Sequence, residues 1–528
     1  MNRYTVRFLP SGATGEFNEG TLLLDAASTL GLFVQADCGG SGFCGACKVR
    51  IASGVVQGGV SRLTESERHE GWRLACTAKI AGDVEVELPE IAPAVVPHIA
   101  VDSDTLVLYT PDRAEGLGIA VDLGTTTVVA RLLRLHDGAV LGESQTLNRQ
   151  AVFGADVISR ILAQKKLGAE PLRSKALESI RETIGLLPQE HAEPIRAMTI
   201  AGNSVMIRLL TGTDADPLRR GEFDADQEPR NIDAEDLAID GIGGFDVALA
   251  PPVAPYVGGD ITAGIMANGI WRDQQMTLYV DLGTNGEIVL GNSEFLLCAA
   301  ASAGPAFEGG NIGCGMRAEP GAIHRFRMEH GYIMIRTIGH RKPRGVTGSG
   351  LIELLAALFE NGLVSAGGRF APERMPERFA ATENGMAFVV VDAANAEGNA
   401  PILLTEPDVD NLIRAKGAVY AGIATLMEAA GIDRNGIDRV IFAGAFGGAI
   451  DLRCASAIGL TPKIPPDRFS YIGNGSLLGA QAATISGAAR SDLQQAAAMM
   501  THIELSDDPG YMDRFVKACF LPHTDSEY

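Results

Sequence analysis

The stretch GIAVDLGTTTVVARLLRL, residues 118–135, returns in altered form about 160 residues later as LYVDLGTNGEIVLG, residues 278–291. Each copy predicts an apolar strand that ends in an aspartate, turns over a glycine and returns as a second strand. Such a turn offers backbone N–H groups and hydroxyls to phosphate oxygens, and the aspartate can hold a magnesium ion or its water. Two facing copies therefore predict a site that binds one nucleoside triphosphate from both sides.

A third motif, VIFAGAFGGAID at residues 440–451, follows the two copies. It predicts a buried strand that runs into a Gly-Ala-Phe-Gly loop and then a helix. Bare glycine backbone at such a loop allows a ribose and a base to pack closely. GNGSLLGAQAATIS, residues 473–486, then predicts a last helix whose small residues permit close helix packing.

Other segments fit the same cleft less specifically. Asp260 in APYVGGDITAGI is expected to cap a helix, with the orientation of a water molecule as the alternative. TGSGLIELL, from residue 347, predicts an amphipathic helix whose N-terminus either binds an anion or simply starts the helix well. Residues 301–323 are too rich in glycine for regular structure and suggest a mobile loop that senses nucleotide. A long helix is predicted after Thr405.

The N-terminal region carries a different chemistry in CGGSGFCGACKV, residues 38–49. Cys38, Cys44 and Cys47 have C-x5-C-x2-C spacing, and Cys76 follows in RLACTAKI. Four thiolates in this arrangement suit a 2Fe–2S cluster, in which each iron takes two sulfurs. Zinc or structural thiols are the alternatives, but a zinc ribbon needs two C-x2-C pairs and the region has one.

The pattern around these cysteines predicts an α+β domain of the β-grasp type. YTVRFLP and TLLL are expected to be strands, DAASTLGL and TESERHEG short helices, and VEVEL a closing strand. IAPAVVPHIAVDSDTLVLYTPDRAEGL, residues 91–117, carries three prolines and predicts a linker, part extended chain and part short strand. Strands then alternate with helices, which is typical of an α/β fold.

Composition limits the possible partners and locations. The chain has 528 residues, enough for three or four domains, and a net charge of −21. This charge disfavours nucleic acid and anionic membrane surfaces and would suit a basic patch on a protein partner. The chain has no run of eighteen apolar residues and no signal-peptide pattern. A cytoplasmic protein is therefore expected, and a homodimer is left open.

The order of the motifs from residue 118 to about residue 490 resembles the ASKHA superfamily of acetate and sugar kinases, heat-shock ATPases and actin. The resemblance implies two ribonuclease-H-like lobes with ATP in the cleft between them, and catalytic acids at Asp122, Asp260 and Asp281. The cofactor-binding residues that we assign on this basis are Gly124, Thr125, Thr126, Thr127, Gly283, Thr284, Asn285, Gly348, Ser349, Gly350, Gly444, Ala445, Phe446 and Gly447.

The expected domain organisation follows from these motifs. We assign residues 1–90 to a 2Fe–2S ferredoxin-like domain and residues 91–117 to the linker. Residues 118–275 form the first ASKHA lobe. Residues 276–528 form the second lobe, with the adenosine-binding loop and the C-terminal helices.

Over essentially its whole length, the chain resembles the reductive activators of corrinoid proteins. The resemblance is carried by the cysteine motif together with VDLGTTTV, YVGGDI, VDLGTNGEI, GPAFEGG, GSGLIELL, AKGAVYAGI and AGAFG. It implies ATP-dependent reduction of cobalt(II) to cobalt(I) for methyl transfer, with a 2Fe–2S cluster, ATP and Mg²⁺ as cofactors. The implied partners are a corrinoid protein of a methyltransferase system and a low-potential electron donor. Asp260 or Asp281 would orient the hydrolytic water.

Three alternatives remain open at the level of sequence. An activator of a radical dehydratase or aryl-CoA reductase would hold a 4Fe–4S cluster between two subunits, with Cys298 and Cys314 as candidate ligands. A small-molecule kinase with a redox-sensing domain would phosphorylate a sugar or a carboxylate. A nucleotide-gated electron carrier or assembly scaffold would catalyse no reaction of its own.

Overall fold

A computed structural model describes the protein at residues 2–30, 32, 34, 45, 47–61, 63–89, 106–113, 115–190, 193–283, 285–383, 385–444 and 450–525. The sites predicted at Cys38, Cys44, Thr284, Ala445, Phe446 and Gly447, and most of the predicted linker, lie outside these residues.

The strands of the described residues are distributed over five sheets. They are β1 (Arg3–Leu9), β2 (Thr14–Asn18), β3 (Lys48–Gly58), β4 (Trp72–Leu74), β5 (Ala78–Glu87), β6 (Leu117–Leu123), β7 (Thr127–Arg134), β8 (Val140–Leu147), β9 (Ile195–Gly202), β10 (Asn231–Asp233), β11 (Asp246–Leu249), β12 (Thr277–Leu282), β13 (Gly286–Gly291), β14 (Leu296–Ala301), β15 (Ala322–Glu329), β16 (Tyr332–Thr337), β17 (Gly345–Val346), β18 (Phe379–Thr382), β19 (Gly385–Val391), β20 (Ile402–Thr405), β21 (Arg439–Ala443), β22 (Phe469–Tyr471) and β23 (Met500–His502).

The α-helices connect and cover these sheets. They are α1 (Leu23–Thr29), α2 (Glu65–His69), α3 (Val157–Leu167), α4 (Ala169–Gly185), α5 (Ser204–Thr211), α6 (Asp216–Arg219), α7 (Gly259–Asn268), α8 (Gly348–Glu360), α9 (Glu406–Ala429), α10 (Leu452–Ala457), α11 (Gly475–Ile485), α12 (Gly487–Met499) and α13 (Tyr511–Ala518).

The N-terminal region forms a five-stranded sheet in the order β2-β1-β5-β3-β4. β1 pairs with β5 in parallel and with β2 in antiparallel orientation. The strand predicted over TLLL is wrong, since α1 begins at Leu23. The antiparallel partner of β1 is instead the polar edge strand β2. Leu23, Ala26 and Ala27 are buried at helical spacing, which explains why this segment is a helix.

The next unit, the first lobe, is a six-stranded sheet in the order β10-β11-β9-β6-β7-β8. The hairpin β6–β7 and strand β8 are antiparallel, whereas β9 runs parallel to β6 on its other side. α3, α4 and α5 contribute buried residues to the core of this unit, as Ile161, Ile180 and Met206 illustrate.

The second lobe contains a sheet whose central strands are arranged as in the sheet of the first lobe. Its order is β22-β21-β12-β13-β14-β23, with β12, β13 and β14 antiparallel and β21 parallel to β12. β6 and β12, the strands of the repeated sequence motif, therefore occupy equivalent places. Two further three-stranded sheets, β16-β15-β17 and β18-β19-β20, extend this lobe.

Two helices pack very closely across the middle of the molecule. A Cβ added to Gly479 of α11 would lie 2.2 Å from the carbonyl oxygen of Ala263 in α7, and one on Gly264 would lie 2.3 Å from the Tyr279 hydroxyl. α11 thus lies against α7 and β6 of the first lobe. α12 and α13 follow α11 along the chain.

The described residues 106–113 contact α7 and α12. The amide of Val107 donates to the carbonyl of Ala267, and the Tyr109 hydroxyl donates to Asp492. Residues 106–113 form no strand, and most of the predicted linker, where a short strand was expected, lies outside the described residues.

The N-terminal domain contacts the first lobe directly, because the Ser28 hydroxyl donates to the carbonyl of Val152 at 2.9 Å. Over the described part of the chain, none of the helices has both the length and the apolar character needed to cross a membrane.

Candidate functional site: a cleft between two strand-end aspartates and a pair of cysteine sulfurs

The two repeated aspartates lie near the ends of equivalent strands. Asp122 is paired in register with Ala201 of β9, and Asp281 with Ala443 of β21. Their charges interact, because Asp122 contributes to the raised pKa of Asp281. The structure therefore brings the two copies of the motif together across one cleft, as the sequence predicts.

Asp122 is held by the N-terminus of α11. The Asn474 side-chain amide donates to one carboxylate oxygen at 2.8 Å, and the Ser476 hydroxyl donates to the other at 2.8 Å. Asn474 also caps α11, since its side-chain oxygen accepts from the amide of Leu477. The sequence predicts this helix but not its hydrogen bonds to Asp122, for which the Asn-Gly-Ser start of the helix was the available signal.

The cleft concentrates negative charge. Burial, followed by the neighbouring charges of Asp281 and Asp122, raises the pKa of Asp260 to about 7. Burial and Asp122 raise the pKa of Asp281 to about 7 as well. Glu287 pairs with Asp281 across β12 and β13. Burial raises the pKa of Glu287, and so do the charges of Asp260 and Asp281. A cation in the cleft would relieve this repulsion.

The chemistry of these side chains fits Mg²⁺. They offer only carboxylate oxygens, which hard cations prefer. Among the residues that the structure describes, no three or more His, Cys, Asp or Glu side chains lie close enough to hold a metal ion. Mg²⁺ usually keeps several waters and is bound through one or two carboxylates together with substrate phosphates. Asp122 and Asp281 would therefore hold it with ATP present.

Asp260 does not cap α7, and the capping role predicted for it is wrong. The N-cap residue is Gly258, and Asp260 lies in the first turn, where it accepts from the amide of Ile261. The start of the helix is closely packed, since a Cβ on Gly258 would lie 2.5 Å from the amide nitrogen of Ser204 and one on Gly259 would lie 2.3 Å from the carbonyl oxygen of Ala250. The charges of Asp281 and Asp122 act on Asp260, which places its carboxyl group near both.

The first phosphate turn is held from behind by buried polar side chains. Asn148 donates through its side chain to the carbonyl of Gly124 at 2.8 Å and through its amide to that of Thr126 at 2.9 Å. The fully buried Arg160 donates to the carbonyl of Thr125 at 2.7 Å. These bonds occupy three successive carbonyls of the turn. The backbone of the turn is thus fixed by three hydrogen bonds to its carbonyls. The sequence analysis did not find Asn148 or Arg160.

Two described residues of the predicted second turn and the predicted nucleoside loop, Gly283 and Gly444, lie near Asp281. The amide of Gly283 donates to the carbonyl of Asn285 at 2.9 Å. Gly444 has a φ of +96°, and a Cβ there would lie 2.6 Å from the carbonyl of Leu282 and 2.7 Å from a carboxylate oxygen of Asp281. Only glycine fits at this position, so bare backbone lies beside the Asp281 carboxylate.

The start of α8 has a clear packing role. Thr347 caps the helix by accepting from the amide of Gly350, and its hydroxyl lies 2.9 Å from that of Ser349. A Cβ on Gly350 would lie 2.4 Å from the carbonyl of Ile323. Contact of Gly348, Ser349 and Gly350 with nucleotide stays a prediction.

The N-terminal domain brings two of the predicted cluster cysteines together. The sulfur atoms of Cys47 and Cys76 are 3.1 Å apart, farther than the roughly 2.05 Å of a disulfide bond, and both residues are buried. Two neighbouring, buried thiol groups suit one iron of a 2Fe–2S cluster. The described part of the domain thus fits the predicted cofactor.

The cysteines considered for a bridging cluster are unsuited to that role. Cys298 is fully buried within β14, between β13 and β23, and burial raises the pKa of its thiol to about 12. Cys314 is also buried, which raises the pKa of its thiol well above the usual value. A cluster shared between two subunits needs ligands at the protein surface, so the burial of both side chains disfavours a bridging cluster here.

Comparison with known protein families gives three consecutive matches along the chain. Residues 7–81 match the 2Fe-2S iron-sulfur cluster binding domain. Residues 117–273 match the RACo middle region, and residues 275–528 match the C-terminal domain of RACo, the ASKHA domain.

Individual relatives match most of the chain. It is 33% identical over 438 residues to the corrinoid activation enzyme RamQ of Eubacterium limosum. This match covers 79% of this chain and 73% of that protein. It is 23% identical to the [Co(II) methylated amine-specific corrinoid protein] reductase of Methanosarcina barkeri, with 65% of this chain and 66% of that protein covered.

A solved structure extends the similarity to the full fold. The reductive activator for corrinoid, iron-sulfur protein matches with a TM-score of 0.71 and 34% identity, over 99% of both chains. The predicted fold class, a ferredoxin-like domain followed by an ASKHA unit, is confirmed. The chain belongs to the family of reductive activators of corrinoid proteins.

Proposed function

We propose that this protein uses ATP to deliver one electron from its 2Fe–2S domain to the cobalt(II) of a corrinoid protein, which regenerates cobalt(I) for methyl transfer. One observation carries the proposal. The same chain joins a domain with the paired sulfurs of Cys47 and Cys76 to a two-lobed cleft with Asp122 and Asp281.

The energetics explain why an electron carrier would be joined to an ATPase. A plant-type 2Fe–2S cluster has a potential of roughly −400 mV. The cobalt(II)/cobalt(I) couple of a corrinoid lies lower still, and each ~59 mV costs a factor of ten in a one-electron equilibrium. ATP shifts such an equilibrium when it binds two states of the complex with different affinity.

The residues of the cleft have distinct proposed roles. Asp122, oriented by Asn474 and Ser476, would hold Mg²⁺ together with Asp281. The turns at residues 124–127 and 283–285 would bind the phosphates, and the loop at residues 444–447 the nucleoside. The start of α8 at residues 348–350 would support the same site.

The N-terminal domain provides the electron. When bound, the cluster supplies one electron at low potential. Cys38, Cys44, Cys47 and Cys76 would hold it, and burial of the Cys47 and Cys76 sulfurs excludes water from that side. We assign these roles to the units expected from the sequence, at residues 1–90, 91–117, 118–275 and 276–528.

The proposed setting follows from the same chemistry. The partner is a corrinoid protein of a methyltransferase system, and a low-potential donor in the cytoplasm refills the cluster. A homodimer is compatible with this scheme.

An anaerobic absorption spectrum tests the proposal. A cobalt(II) corrinoid protein is mixed with this protein and a low-potential reductant, with and without Mg–ATP. We expect the cobalt(I) band to grow only when ATP is present. ATP hydrolysis without cobalt(I) formation, with several corrinoid proteins, would contradict the proposal.

A further inference from the structure

Glu308 places a carboxylate between the two phosphate turns. It ends a 3₁₀ turn, Pro305–Glu308, that follows β14. The Thr126 hydroxyl of the first turn donates to one carboxylate oxygen at 3.3 Å. The other oxygen lies 3.5 Å from where a Cβ on Gly283, in the second turn, would be. The side chain thus reaches both halves of the cleft.

The segment that carries Glu308 is firmly anchored. Phe307 is buried beside it. Farther along, the carboxylate of Asp408, at the start of α9, accepts from the amide of Gly313 at 2.7 Å. The side-chain amide of Asn411 donates to the carbonyl of Asn311 at 2.9 Å. These contacts differ from the mobile loop expected for residues 301–323, and they hold Glu308 in a defined place.

Asp122, Asp281 and Asp260, three other acids of the cleft, each accept a hydrogen bond from a neighbouring group. Both carboxylate oxygens of Asp122 accept hydrogen bonds from the start of α11. Asp281 accepts from the Tyr279 hydroxyl at 3.2 Å and lies against Gly444. Asp260 accepts from the amide that follows it. Of these four carboxylates, Glu308 is the one in contact with a hydroxyl of a phosphate turn.

We propose that Glu308 is the catalytic residue that positions the water attacking the terminal phosphate of ATP. This inference rests on the proposed function, because it places ATP between the two turns. The carboxylate accepts a hydrogen bond from the water, whose oxygen bonds to the terminal phosphorus. The bond from that phosphorus to the bridging oxygen breaks, and ADP leaves. The water proton passes through Glu308 to solvent or to the released phosphate.

A water-positioning role and a simple contact between the lobes predict different effects when the Glu308 side chain is removed. A latch that ATP must displace would compete with the nucleotide through its charge, so its removal would tighten ATP binding. A water-positioning carboxylate acts on the chemical step, so its removal leaves binding nearly unchanged and slows hydrolysis.

The test compares Glu308→Gln with the wild-type holoprotein, without a corrinoid partner. Binding of Mg–ATP is measured by calorimetry, and hydrolysis by phosphate release in a single turnover. We expect E308Q to bind ATP within about threefold of wild type and to hydrolyse it about 100-fold more slowly. Formate should partly restore hydrolysis in Glu308→Ala. Glu294→Gln, an exposed change at the other end of β14, should match wild type.

The outcomes distinguish this inference from the proposed function. If E308Q hydrolyses ATP at the wild-type rate, the catalytic role of Glu308 is overturned. If E308Q also binds ATP more tightly than wild type, Glu308 is a latch instead. If E308Q hydrolyses slowly but the wild type never forms cobalt(I), Glu308 keeps its role and the proposed function fails. A wild-type chain without any ATP hydrolysis overturns both.

Discussion

The side-chain amide of Asn474 donates a hydrogen bond of 2.8 Å to the carboxylate of Asp122, although the two residues are 352 positions apart in the chain. Asn474 also caps α11, so the helix start and the strand-end acid form one unit. The position of α11 is in turn fixed by its close packing against α7. A shift of this helix would therefore change the orientation of Asp122.

Asn474→Ala should weaken binding of Mg–ATP by about tenfold, since Asp122 loses a donor that orients it and α11 loses its cap. Calorimetric titration with ATP measures the affinity. Thr64→Ala removes a comparable cap, that of α2 in the N-terminal domain, and should leave ATP affinity unchanged. Equal affinities for N474A and wild type would show that Asp122 does not depend on this contact.

Gly444→Ala should weaken ATP binding by at least about tenfold, because the new methyl group meets the carbonyl of Leu282 and the Asp281 carboxylate at a strained φ. Gly367→Ala is the matched control, since a Cβ at that exposed glycine meets nothing within 4 Å. Nucleotide titration of both variants gives the comparison. Normal affinity in G444A would remove this loop from the nucleotide site.

Cys76→Ser should reduce bound iron from about two atoms per chain towards zero while ATP hydrolysis continues, because the thiolate pair with Cys47 is broken. Iron analysis and the absorption spectrum measure the loss. Cys298→Ala serves as the control and should keep about two irons. Iron loss in C298A, or about four irons in the wild type, would favour the bridging-cluster alternative.

The wild-type fold should become more stable as the pH rises above 7, and Lys416→Met should abolish this increase. The Lys416 ammonium donates to the carbonyls of Phe520 and Pro522, and burial lowers its pKa to about 7. The unfolded chain keeps this pKa near 10.4 and so binds more protons above pH 7, which makes the folded state more stable as pH rises.

Urea unfolding at pH 7 and pH 9 measures this effect. The stability difference between wild type and K416M should change by about 2 kcal/mol in favour of wild type over this range. Parallel pH profiles for the two proteins would show that Lys416 is not the group that titrates.

The sequence predicted the parts of the site that lie within single motifs. The repeated D-L-G-T turns indicated two equivalent strands, and the structure places Asp122 and Asp281 across one cleft. The long helix after Thr405 is also found, with the capping box of Thr405 and Asp408. Local patterns sufficed because hydrophobic periodicity and capping act over a few residues.

The parts that the sequence did not predict depend on packing between distant segments. Glu308 meets Thr126 across 182 residues, and no local pattern marks that contact. The edge strand β2 was missed because its sequence, TGEFN, has few apolar residues and little to bury. The place of Asp260 depends on backbone contacts that leave no room for a Cβ at Gly258.

The most direct test of the central claim follows one electron between the two proteins. The cluster of the full chain is reduced, excess reductant is removed, and the protein is mixed with a cobalt(II) corrinoid protein and frozen for electron paramagnetic resonance. With Mg–ATP, the signals of the reduced cluster and of cobalt(II) should fall together in a ratio of about one to one, and without ATP both should persist. Equal loss of the cobalt(II) signal without ATP, or loss of it while the cluster stays reduced, would contradict the account.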